Sequence, residues 1–218
     1  MKLAKMFMLA ATLTTLASSA FAAGGFSGSM SGMGTQISNE DTISLGFPGY
    51  GGSGCPGGSA SVTLSPDGKS LTLIFDQFIV EAGGPTGKRI DRKNCDIAIP
   101  VHVPQGMSIS ILDVDYRGFN ALPSGAMARF SSEYFFAGSR GPQFSKTFMG
   151  PLNQDYVINN KLGVQGTVWS PCGADVNLRV NASMMTQTNR YLEDALSTVD
   201  TADFRAAMVY HLQWQRCQ

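Results

Sequence analysis

The chain has 218 residues and a mass of 23.2 kDa, with 16 basic against 16 acidic side chains, 43% hydrophobic and 15% charged residues. That balance excludes a disordered chain, and the zero net charge excludes the counterion-release attraction on which non-specific nucleic-acid binding depends, so no nucleic-acid partner is expected. Low charge together with 25 glycines and 10 prolines is the composition of a turn-rich β protein.

Residues 1–22 read as an export signal. Lys2 and Lys5 form a basic start, Met6 to Leu16 is an apolar run, and Ala20-Phe21-Ala22 ends it with small residues, which places cleavage near Ala22. The apolar run of 11 residues is far short of the ~20 that span a bilayer, no later run is longer, and no cysteine follows the cleavage site to take a lipid. The expected product is secreted, extracellular or periplasmic, with no membrane span. Residues 23–58 hold 12 glycines in 36 positions, and a flexible Gly/Ser/Met-rich leader is assigned to 23–45, ahead of a single domain over 46–218.

Beyond the leader, strands follow at short intervals. Ser59–Ser65 and Leu71–Phe75 alternate on either side of Ser65-Pro66-Asp67-Gly68, which is a hairpin signal. A polar loop is expected from Gly83 to Asn94. Ile97, Ile99, Val101 and Val103 then share a face opposite Asp96, Pro100 and His102, with Pro100 marking an edge or an irregular position. Ile109 and Ile111 keep one phase and Leu112, Val114 and Tyr116 the other, so a bulge is expected near Ile111. Ala128, Phe130, Tyr134 and Phe136 form one face and Arg129, Ser131 and Glu133 the other. Shorter strands follow around Phe144 to Phe148 and from Tyr156, and Val176 to Met184 alternates against Asn177, Arg179, Asn181 and Ser183. Asn189–Leu196 is the one stretch with the pattern of a short helix, and Phe204 to Trp214 closes the chain with six apolar residues at successive even positions. Nine or ten strands with one apolar face each call for a second sheet to cover them: an all-β antiparallel sandwich of jelly-roll kind.

Cys55, Cys95, Cys172 and Cys217 lie 40, 77 and 45 positions apart, which offers no chelating pair, and an even count in an exported chain favours two disulfides. Three connectivities are open. Cys55 with Cys95 and Cys172 with Cys217 is preferred, since each bridge then closes a loop within one half of the chain.

Tyr50-Gly-Gly-Ser-Gly-Cys55-Pro-Gly-Gly-Ser59, Leu64-Ser-Pro-Asp-Gly68, Arg92-Lys-Asn-Cys95, His102-Val-Pro-Gln-Gly106, Asp115-Tyr-Arg-Gly118, Trp169-Ser-Pro-Cys-Gly173 and the closing Leu212-Gln-Trp-Gln-Arg-Cys217 resemble the secreted family known as domain of unknown function 4360. The resemblance runs from Phe47 to Cys217. It implies an exported, cysteine-containing protein, and it brings no reaction and no catalytic residues with it.

The residues themselves leave several chemistries to weigh, none of which yields an assigned catalytic or metal-binding residue. Gly51-Gly-Ser53-Gly-Cys55 misses the nucleophile-elbow pattern, and His102 and His211 fall on polar strand faces, where solvation is their expected lot. For a glycosidase, Asp113, Asp115 and Glu133 are the carboxylates to consider, although an Asp-x-Asp beside Arg117 is more often a salt-bridged surface. No cofactor is expected. A structural calcium ion would fall to Asp113 with Asp115 or to Asp200 with Asp203, neither of which matches an EF-hand loop. Lys88, Arg89, Arg92 and Lys93 form the one basic cluster, with Arg92 expected to pair with Asp91 or Asp115. Tyr50, Tyr116, Phe119 and Trp169, in or near loops, are the aromatics for a sugar platform, while Tyr134 and Trp214 belong to the core. Asn181-Ala-Ser183 is a glycosylation sequon on an outward face. The function that fits best is non-catalytic: surface recognition of an extracellular glycan or protein, or an envelope or matrix component. The alternatives are a polysaccharide hydrolase using paired carboxylates and a secreted inhibitor or effector presenting the Gly83 to Asn94 loop.

Overall fold

The structure, a computed structural model, describes residues 42–162, 168–199 and 208–217. The export signal, most of the leader, Asp200, Asp203, Phe204 and Ala206 lie outside the described residues. Thirteen strands occur among those described, more than the nine or ten expected, because several connections also pair. They are β1 (Ser44–Leu45), β2 (Gly49–Gly51), β3 (Ala60–Leu64), β4 (Ser70–Phe75), β5 (Ile79–Ala82), β6 (Ile90–His102), β7 (Met107–Leu122), β8 (Met127–Phe136), β9 (Gln143–Met149), β10 (Leu152–Lys161), β11 (Val176–Gln187), β12 (Ala195–Thr198) and β13 (Met208–Arg216). Every pairing is antiparallel.

The strands form two sheets. One runs β1-β6-β11-β8-β9 with β2 also on β6, and the other runs β3-β4-β13-β7-β12-β5 with β10 also on β7. Alternation decides which side of each strand is buried. In β11, Leu178, Val180, Ala182 and Met184 face inward and are almost wholly buried, as Val114 and Tyr116 are in β7. The inner faces meet through aromatic contacts: Tyr116 stacks on Phe144 at 5.1 Å and lies 4.9 Å from Phe130, and Tyr134 meets Tyr210 edge-on at 5.5 Å. Burial pushes the Tyr116 hydroxyl up to about 12 and raises those of Tyr134 and Tyr210 as well, so all three stay protonated members of the core.

The expected bulge is present: between β13 and β7 the register steps from His211 opposite Asp113 to Leu212 opposite Ile111. Leu112 is the extra residue and is 49% exposed, so it leaves the apolar face on which its phase had placed it. Pro100 lies in the gap between β1 and β2 on β6, where its carbonyl accepts from the Gly46 amide and no ladder donor is demanded of it.

Two expected elements differ. The Asn189–Leu196 stretch is a turn leading into β12, because the Asn189 side chain accepts from the amides of Tyr191 and Glu193 and donates to the Ser124 carbonyl, offering the backbone bonds that a helix would otherwise supply. The Gly83 to Asn94 loop is short, since β6 already begins at Ile90 and only a 3-10 turn over Gly84–Thr86 separates it from β5. The long partner strand β11 holds those polar residues in a ladder, Gln187 opposite Ile90 and Met184 opposite Lys93. At the other end Ile43 is buried and Ser44–Leu45 pair with β6, so the sheet takes in residues ahead of Gly46.

Cys55 is bonded to Cys95 and Cys172 to Cys217. The first bridge draws the 52–58 loop onto β6 so closely that a Cβ at Gly52 would stand 2.3 Å from the Asn94 carbonyl oxygen. The second ties the segment leading into β11 to the end of β13.

Candidate functional site

The outer face of the first sheet is polar by alternation, since each strand there presents the residues opposite to its core set. Register turns four such faces into rows. Asp96, Asn181, Glu133 and Gln143 are cross-strand neighbours on β6, β11, β8 and β9, and two residues along each strand Asn94, Ser183, Ser131 and Ser145 form a second row. These rows floor an open groove of about 530 Å³.

The second row is internally satisfied: the Ser131 and Ser183 hydroxyls lie 2.9 Å apart, and the Asn94 amide group donates to Asp96 at 3.2 Å while its carbonyl oxygen accepts from Ser53. The first row is not. Among the described residues, the side chains of Asn181, Glu133 and Gln143 make no hydrogen bond or ion pair with the protein, so their donors and acceptors face the groove on rigid strands. One row further, Arg92, Met185, Arg129 and Thr147 are aligned. Arg92 lies 3.6 Å from the Met185 sulfur and the Arg129 Nε donates to Ser145 at 3.0 Å.

The three carboxylates weighed for hydrolysis do not converge. Asp113 and Asp115 point outward from β7 in the second sheet and Glu133 outward from β8 in the first, so the two packed layers of the core lie between them. Strand phase alone makes them look equivalent, whereas sheet membership separates them. Asp113 and Asp115 instead flank His211, whose Nε2 is 3.6 Å from one and 3.3 Å from the other, and Asn159 donates to Asp115 at 2.7 Å. Burial works to raise the Asp115 carboxyl, but the bonds from Asn159 and His211 outweigh it and hold the group below its ordinary value. Among the described residues, no group of three or more His, Cys, Asp or Glu side chains is arranged to hold a metal ion.

His102 is a half-exposed member of a different row. Its Nδ1 lies 2.7 Å from Asp175, and Ser44 stands opposite it on β1, beside a groove of about 290 Å³. A nucleophilic set would need the serine hydroxyl bonded to the imidazole, and Ser44 makes no such bond here.

The aromatics and the basic cluster scatter. Tyr116 is fully buried in β7 rather than near a loop, because the bulge turns its phase to the core. Tyr50 is half-buried on β2 with its hydroxyl accepting from the Gly58 amide, Phe119 is half-buried on β7, and Trp169 bridges to Ser110. They make no common platform. Lys88 pairs with Asp91 at 2.9 Å, Arg89 is exposed beside it, and Lys93 is half-buried on the inward-phased side of β6. Arg92 pairs with neither Asp91 nor Asp115: it lies against Met185 on the first sheet while Asp115 belongs to the second.

Sequence reasoning missed Asp96, Gln143 and Ser145 as members of a site. The signal for each was its place on a polar strand face, yet only pairing register brings them side by side.

Two stapled antiparallel sheets with a polar outer groove define a disulfide-bonded β-sandwich, and no helix among the described residues is long and apolar enough to cross a membrane. The chain belongs to the family described as domain of unknown function (DUF4360), which it matches over residues 41–217. It is similar to an uncharacterized secreted protein of Arthroderma benhamiae, with 37% identity over 170 residues, 77% of this chain and 69% of that one. A secreted relative and two disulfides agree in pointing to an extracellular setting.

Proposed function

We propose that the chain, freed of its export signal by cleavage near Ala22, is a non-catalytic recognition protein that holds an extracellular carbohydrate along the outer face of its first sheet, as a binding module or a matrix component. The observation that carries this reading is the row of Asn181, Glu133 and Gln143, three hydrogen-bonding side chains on adjacent strands with no partner among the described residues. A saccharide presents hydroxyl groups that both donate and accept, and amides and carboxylates on rigid strands meet them with little ordering cost.

The test is binding of the processed, disulfide-intact protein to an array of cell-wall and extracellular glycans, with new reducing ends assayed in the same wells. Saturable binding without product, weakened at least tenfold by N181A combined with E133Q, is expected. Binding that ignores this variant refutes the site, and product formation refutes the non-catalytic reading.

A further inference from the structure

Resting on the recognition reading above, the geometry points to a narrower ligand: we infer that the groove takes a polysaccharide bearing carboxylates, a uronate chain, with its acid groups on Arg129, which lines the groove, and on Arg92, which lies beyond it in the same cross-strand row. The two arginines project from β6 and β8 on either side of Met185, in register across β11, so their backbones stand about 10 Å apart. Among the described residues neither guanidinium pairs with a carboxylate, although the chain as a whole carries as many acidic as basic groups. Both are held in place, Arg129 by Ser145 and Arg92 against Met185, which lowers the rotamer entropy lost on binding. A planar guanidinium offers paired N–H donors that match a carboxylate, and such charge-assisted bonds are the strong ones.

Charge along the groove also orients the chain. Asp96 and Glu133 lie two rows, about 14 Å along the strands, from the arginine row, with the hydroxyl row of Ser131 and Ser183 between them. The carboxylates of an acidic sugar are repelled from the first row and drawn to the last, so its hydroxyls fall over Asn181, Glu133 and Gln143 and its acid groups over Arg92 and Arg129. Like-charge exclusion at one end sets the register as firmly as attraction does at the other.

The experiment compares binding of the processed, disulfide-bonded protein to polygalacturonate and to the same polymer with its carboxyls methyl-esterified, across a salt series. Binding to the acid form is expected to be at least tenfold tighter and to weaken with salt. R92A with R129A is expected to bring the acid form down to the affinity of the ester, while K88A with R89A, which removes the same charge from the neighbouring loop, leaves the preference intact. R92K with R129K keeps charge without paired donors and should retain only part of it. Equal affinity for acid and ester, an unchanged preference in the R92A and R129A variant, or an equal loss in the K88A and R89A variant overturns the proposal. In any of these cases N181A with E133Q still decides the broader reading, which stands if that variant weakens binding to the esterified polymer, on which the Glu133 charge exerts no repulsion, and falls if that binding is unchanged. Tighter binding to a sulfated chain than to the uronate likewise overturns the carboxylate assignment.

Discussion

Removing the disulfides one at a time separates two physical contributions that the structure assigns unequally. The Cys55–Cys95 bridge closes a loop with a sequence separation of 40 and the Cys172–Cys217 bridge one of 45. In the chain-entropy description each restrains the unfolded chain by about 4 kcal/mol, and the two differ by only ~0.1 kcal/mol because the dependence on loop length is logarithmic. Packing breaks the tie. Cys55 and Cys95 are fully buried, so C55A/C95A also leaves two sulfur-sized gaps at about 1 kcal/mol each, whereas Cys172 is exposed and Cys217 half-exposed. The expected losses are therefore about 6 kcal/mol for C55A/C95A and about 4 kcal/mol for C172A/C217A, against a typical total of ~5–15 kcal/mol. At about 2–4 °C per kcal/mol for a domain of this size, C172A/C217A should melt roughly 8–16 °C below the parent. Equilibrium urea unfolding followed by circular dichroism measures both, and the slope against urea should rise as the uncrosslinked chain expands. A C172A/C217A variant within ~1 kcal/mol of the parent, or one less stable than C55A/C95A, would refute the reasoning.

Three further outcomes are expected. Gly118→Ala places a Cβ 2.2 Å from the Thr198 carbonyl oxygen and 2.5 Å from the Tyr156 hydroxyl, so it should cost about 1–3 kcal/mol of unfolding free energy, and a neutral result in urea would count against the close approach of β7 to the end of β12. The Asp115 carboxyl is held below its unfolded value, so its contribution is present above the ordinary carboxylate range and is lost as pH falls through the folded value. Asn159→Ala removes a stabilising donor and should flatten that acid loss, which unfolding free energies between pH 7 and pH 2 will show. Asn181 stands in the groove, so production in a host that glycosylates the sequon should add the mass of a glycan and suppress carbohydrate binding, with mass spectrometry and the glycan array as the two readings.

Local pattern carried much of the fold into view. The Ser65 to Gly68 turn, the bulge beside Ile111 and the inward sets of β8 and β11 are legible because a strand has a period of two and a turn has its own residues, both of which are short-range properties. The Asn189 turn was not, since helix-like composition there is overridden by one side chain reaching Ser124 across the fold. Short strands such as β1, β5 and β12 were hidden for a related reason: with two to four residues each they have too little period to read, and they exist because longer neighbours pair with them.

The site divides along the same line. That Glu133, Asn181 and Arg129 face outward follows from alternation within their own strands. That Asn181 lies between Asp96 and Glu133, that Arg92 and Arg129 flank Met185, and that Asp113 and Asp115 belong to the opposite sheet were decided by register and sheet order. Those are set by the joint packing of strands far apart in the chain, where burying the apolar faces of two sheets together selects one pairing out of many. The even cysteine count and the alternating faces were thus legible in the sequence alone, while which cysteines pair and which polar side chains share a row were determined only when the sheets closed.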